Sequence, residues 1–183
     1  MGADTSGYVY FGGQFSNVSG ANTAPAGITR LAFVRSTNSG LLDLTFNPNP
    51  DSTLKAINIQ ATGANAAIYF GGHFLTLSGV TRTHIARLTM TGAFDPSFNA
   101  SVSGDSQVTI NAISVQPDGN VLIGGNFTGV GGVIRNMLAR VTSTGLLDTT
   151  FDPNLSGTSA TVNTIVIQPD GMIIVGGTFS TIG

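Results

Sequence analysis

The apolar residues of this chain fall in short runs, each closed by glycine or by a small polar cluster. Residues 112–116 are rich in β-branched side chains and lead into Pro117-Asp118-Gly119. Proline presets φ, the aspartate caps its own backbone and glycine takes a positive φ, so this triplet predicts a tight turn. The returning run Asn120-Val121-Leu122-Ile123 is apolar on both faces and ends at Gly124-Gly125, the pattern of a strand covered from both sides. After a loop over 128–132, residues 136–142 read as a third strand, and residues 146–151 as a fourth beyond a turn at Ser143-Thr144-Gly145. The pattern predicts a meander of four short strands.

The meander repeats. Gly-Gly-x-Phe occurs as Gly12-Gly13-Gln14-Phe15, Gly71-Gly72-His73-Phe74, Gly124-Gly125-Asn126-Phe127 and Gly176-Gly177-Thr178-Phe179, with starts 59, 53 and 52 residues apart. Gly-x-x-Asp-x-x-Phe occurs at 40–46, 92–98 and 145–151, and a third segment at 56–60, 112–116 and 164–168. Three anchors keep step, so the chain is one repeat array over 1–183, with units at about 5–48, 54–100, 108–154 and 161–183, the first and last incomplete. Extra length falls in 61–67, where a longer loop replaces the Pro-Asp-Gly turn.

A turn centred on Thr144 sets Arg140 across from Asp148, and the same register sets Arg87 against Asp95 and Arg35 against Asp43. Facing opposite charges stabilise a strand pair by about 0.2–1 kcal/mol. These six residues are expected to clasp the fold. Arg30, Arg82 and Arg135 form a second column whose partners the sequence does not indicate.

Meanders of about 50 residues that end an apolar strand in Gly-Gly bury both sheet faces by packing side by side around an axis. The expected fold is all-β, a β-propeller type with about three and a half four-stranded blades. The string Ala-Ile-x-Val-Gln-Pro-Asp-Gly-x-Val-Leu-Ile-Gly-Gly-Asn-Phe, then Leu-Ala-Arg-Val and Gly-Leu-Leu-Asp-Thr-Thr-Phe, resembles the delta-60 repeat of large bacterial surface and secreted proteins. More distantly it is similar to kelch units. The resemblance implies a propeller and no particular activity; it is weakest at 17–27 and 61–67. Both chain ends fall within units, so the expectation is a fragment of a larger propeller or a ring completed by another chain.

Composition narrows the function. Charged residues make up 9% of the chain, with seven basic residues against nine Asp and no Glu, for a net charge of −2. That balance offers no footprint for nucleic acid or an anionic bilayer, and no apolar run approaches a membrane span. Without cysteine, neither disulfides nor a thiol nucleophile enter. The Thr, Ser, Asn and Gly bias points to an extracellular, cell-surface or virion-surface protein.

Candidate chemistry is sparse. A glycosidase needs two carboxylates at a set separation. Here Asp43, Asp95 and Asp148 repeat with the fold, Asp118 and Asp170 sit in turns, and Asp4, Asp51, Asp105 and Asp152 pair with nothing visible. Two histidines, His73 and His84, exclude a three-histidine zinc site. No catalytic residue, metal site or cofactor is expected. Tyr8, Tyr10 and Tyr69, with His73 and His84, are the candidate ligand contacts, each also readable as packing. Asn17, Asn99, Asn126 and Asn154 head Asn-x-Ser/Thr triplets that matter only in a glycosylating host. Three functions follow: a non-catalytic adhesion module whose loops meet a glycan or protein, a structural fibre or virion component pairing strands with copies of itself, and a propeller hydrolase or lyase.

Overall fold

The computed structural model describes residues 2–13, 33–63 and 66–183. Gln14, Phe15, Asn17, Arg30 and the loop at 17–27 lie outside the described residues. Those described form no helix, and so none long and apolar enough to cross a membrane.

Four antiparallel sheets follow one another. The first holds β1 (Gly2–Ala3), β2 (Val9–Gly12) and β3 (Phe33–Ser36). The second holds β4 (Leu54–Gln60), β5 (Ala67–Gly72) and β8 (Ile85–Leu88); the third holds β10 (Ile110–Val115), β11 (Val121–Gly125) and β14 (Leu138–Val141). The fourth is β15 (Thr161–Ile167) with β16 (Ile173–Thr178). Small ribbons decorate one end: β6 (Thr76–Leu77) with β7 (Val80–Thr81), and β9 (Val102–Ser103) with β12 (Gly129–Val130) and β13 (Val133–Ile134).

The turns form for the reasons read in the sequence. Gly119 has φ of +87°, its N–H donates to Gln116 O at 2.9 Å, and Asp118 Oδ1 accepts from Asn120 N at 2.9 Å. Asp170 and Gly171 repeat this before β16. A shorter hairpin over Asp4 to Tyr8 joins β1 to β2, so a first strand precedes the tyrosine-rich run.

Successive sheets pack face to face: β10 touches β4 on one side and β15 on the other, and β1 and β2 touch β4. Each junction has its own apolar core. Tyr10, Phe33, Phe46, Leu54 and Phe70 fill the first, Tyr69, Phe98, Ile110, Ile123 and Phe127 the second, and Leu122, Leu138, Leu155 and Val162 the third. The Gly-Gly pair makes this approach achievable. A Cβ on Gly71 would sit 2.5 Å from Ile110 Cγ2, and one on Gly124 2.5 Å from Val162 Cγ1, in each case the following sheet's first strand. The second glycine meets its own sheet, where a Cβ on Gly72 would collide with Thr53 O and one on Gly125 with Thr109 O.

The expected fourth strand is reduced to single bridges, Ser36 with Leu42, Leu88 with Phe94 and Val141 with Leu147. The register is the predicted one. The ladder stops because the next residue, Asp43, Asp95 or Asp148, accepts a bond from the N–H two residues on, at 2.9 Å each, which curls the chain out of the sheet.

Candidate functional site

The functional candidate begins with a backbone irregularity. In β4, β10 and β15 the pairing with the middle strand skips one residue: Lys55 between Leu54 and Ala56, Asn111 between Ile110 and Ala112, and Asn163 between Val162 and Thr164. The skip lies opposite the Gly-Gly pair, where the two backbones come too close for a side chain on the glycine. A bulge leaves one residue without a cross-strand partner and re-aims its side chain. The result is a polar column with one member in each of the second, third and fourth sheets, and it bridges the last two: Asn111 Nδ2 donates to Thr161 Oγ1 at 3.0 Å and to Val162 O at 3.3 Å.

Lys55, reaching in from the second sheet, and Asn111 line a groove of about 710 Å³ at the junction of the third and fourth sheets, shared with Asp105, Asn126, Asn136 and Ser159. Asn126 braces its wall, accepting from Thr109 N at 2.6 Å and donating to Gln107 O at 2.9 Å. Asp105 Oδ1 accepts from Gln107 N at 2.8 Å. The rim combines one cation, one carboxylate and several amides and hydroxyls, which suits a polar ligand without large net charge.

The sequence candidates fall in several places. The three clasps are present, with Nε to Oδ2 distances of 3.0 Å for Arg35–Asp43 and 2.8 Å for both Arg87–Asp95 and Arg140–Asp148. Two of them also lock neighbouring sheets: Arg35 Nη1 donates to Met90 O at 2.8 Å, and Arg87 Nη1 to Ser143 O at 2.6 Å. Burial opposes the charge of Asp43, but bonds from Thr45 and Arg35 outweigh it and hold the carboxyl at about 2. Bonds from Thr150 and Arg140 bring Asp148 to about 2 as well.

Tyr10 and Tyr69 are not available as ligand contacts, a correction to the sequence reading. Tyr10 is buried and donates its hydroxyl to Asp4 Oδ2 at 2.8 Å, and burial pushes the phenol up to about 12. Tyr69 is buried edge-on to Phe98, with ring centroids 5.4 Å apart. Both fill the inter-sheet core where the third sheet carries Leu122. Tyr8 is half-buried, its ring 4.3 Å from the Arg35 guanidinium, and it borders a second hollow of about 480 Å³.

His73 and His84 come together, ring centroids 6.0 Å apart. They hold, one sheet earlier, the repeat positions of Asn126 and Met137 in the groove. His73 Nδ1 lies 2.8 Å from Val108 O and so carries the proton. His84 is 8% exposed with φ of +67°, and burial followed by the nearby His73 lowers its pKa. It too is a packing residue. Among the described residues, no three His, Cys, Asp or Glu side chains gather as a metal would need.

Two features escaped the sequence reading. Arg135 pairs with Asp152 at 2.9 Å, and Arg82 lies over the Phe94 ring at 4.6 Å, which gives the two described members of the second arginine column their partners. The bulge column was the other. Its signal was a polar residue inside an apolar run, Leu-Lys-Ala-Ile, Ile-Asn-Ala-Ile and Val-Asn-Thr-Ile.

No curated protein was found to match the chain. A family model described as a β-propeller domain of unknown function (DUF5122) matches residues 68–98, 116–151 and 168–183. Its matched stretches follow the second, third and fourth sheets, so fold and comparison agree that this is an all-β chain of β-propeller repeats.

Proposed function

We propose that the chain is a non-catalytic binding module of an extracellular, cell-surface or virion-surface protein, and that the groove between the third and fourth sheets receives a glycan. The observation that carries this reading is the bulge column, which places Lys55 and Asn111 at the mouth of a hollow rich in amides and hydroxyls. Such groups match the paired donors and acceptors of sugar hydroxyls. A single carboxylate, Asp105, lines the groove, against the pair that glycoside hydrolysis employs. The repeat strings also support assignment to the delta-60 type within the propeller repeats.

A glycan array with wild type and Lys55→Ala tests the reading. Wild type is expected to retain a defined set of neutral or amino-sugar glycans, and Lys55→Ala to lose them with an unchanged melting temperature, because Lys55 is exposed. Retention of protein ligands alone, or glycan binding indifferent to Lys55, contradicts it.

A further inference from the structure

The junction between the second and third sheets differs from the following one in that it contains histidine. Both of its sheets carry three strands, and the His73 ring donates across it to Val108 O at 2.8 Å. At the junction of the third and fourth sheets the same repeat positions hold Asn126 and Met137, which do not change charge with pH. The main chain around them is alike in both units. Gly72 N donates to His84 O at 2.9 Å and His84 N to Phe74 O at 2.8 Å; Gly125 N donates to Met137 O and Met137 N to Phe127 O, at 2.9 Å each. His84 and Met137 also share a positive φ, +67° and +63°. The side chain is what differs.

The His84 ring is poorly placed to carry a charge. It is buried, and among the described residues its Nδ1 has no hydrogen-bond partner, so the neutral ring keeps its proton on Nε2. A second proton would create an N–H at Nδ1 with nothing to accept it, beside the His73 ring, whose centroid is 6.0 Å away. An unsatisfied donor and a charge are both costly in a buried setting. Burial, then His73, lower the His84 pKa; Asp51 opposes them. The Asp51 carboxylate is itself engaged by the N–H groups of Leu75 and Thr76, at 2.9 and 3.1 Å. Other charged groups of the surrounding segments are directed elsewhere: Arg82 lies over the Phe94 ring, Asp105 accepts from Gln107 N, and Lys55 lines the groove at the following junction.

We propose that His84 is an acid-operated release for this one junction. When it takes up a proton its ring leaves the junction for water, and the contact between the second and third sheets loosens there while the following junction stays closed. Protonated histidine drives such a change by favouring the arrangement that solvates it. The repeat array therefore carries a seam that opens in mildly acidic surroundings, at a place set by His73 and His84.

Amide hydrogen exchange of the full chain, followed by NMR and corrected for the intrinsic rate at each pH, tests this between about pH 7.5 and pH 4.5. The Gly72 and His84 amides are expected to lose protection by about tenfold or more, with a midpoint below about pH 6.5, whereas the matching Gly125 and Met137 amides keep theirs. The carbon-bound protons of the His84 ring should titrate with the same midpoint. His84→Met, which copies the next unit, is expected to abolish the loss at Gly72. Equal loss at all four amides, no loss at Gly72 and His84, a midpoint unlike that of the ring, or a loss that survives His84→Met would overturn the proposal.

Discussion

Arg87 donates a 2.6 Å hydrogen bond to the Ser143 carbonyl of the next sheet while its Nε holds Asp95 at 2.8 Å. One side chain thus fixes a hairpin and an inter-sheet junction together. Removing one partner of a buried pair leaves the other charge without compensation. Arg87→Met is expected to destabilise the fold by about 3 kcal/mol and Arg140→Met by about 1 kcal/mol, since Arg140 is more exposed and, among the described residues, donates to no carbonyl across a junction. Urea unfolding of both variants checks the order, and equal losses would contradict it.

Gly124 and Gly176 occupy the same position in successive sheets but meet different neighbours. A Cβ on Gly124 would lie 2.5 Å from Val162, whereas among the described residues one on Gly176 meets only Thr164 Cγ2 of its own sheet, at 2.7 Å. Overpacking a formed junction costs about 1–3 kcal/mol. Gly124→Ala is expected to lower stability by that amount, and Gly176→Ala by a fraction of it. Calorimetric melting of the two variants distinguishes them.

Acid should unfold the protein in two stages. The pKa of His84 is lowered in the folded chain, so the unfolded state takes up its proton first and stability falls as pH drops below about 6.5. Asp43 and Asp148 are held at about 2, so their contribution is present above the ordinary carboxylate value near 3.8 and is lost as pH falls from there towards 2. Melting temperature measured from pH 8 to pH 2 should show both declines, and His84→Asn should remove the first. A profile flat to pH 4 in wild type would contradict the role given to His84.

What the sequence made legible was local. Arg35 and Asp43 stand eight residues apart across one tight turn, so turn chemistry alone predicts their meeting, and all three pairs form. The Gly-Gly corners announced a close approach but not what approaches, because Val162 lies on a strand far along the chain from Gly124. The loss of the fourth strand turned on a competition invisible to hydrophobic patterning: Asp148 satisfies the Thr150 N–H that a ladder would otherwise have used. Tyr10 and Tyr69 read as candidate contacts because tyrosine suits binding surfaces equally well; only the packing of successive sheets reveals their burial. The candidate site was least legible, since Lys55 and Asn111 come to line one groove only through bulges and the succession of sheets.

The claim that a ligand seats on the bulge column is tested most directly by titrating the best glycan from the array into isotope-labelled protein and following side-chain amide resonances. Asn111, Asn126 and Asn136 should shift together and saturate with one dissociation constant, and Lys55→Ala should weaken all three shifts in parallel. Saturating shifts confined to the hollow beside Tyr8 and Arg35, with these three asparagines unmoved, would contradict the account.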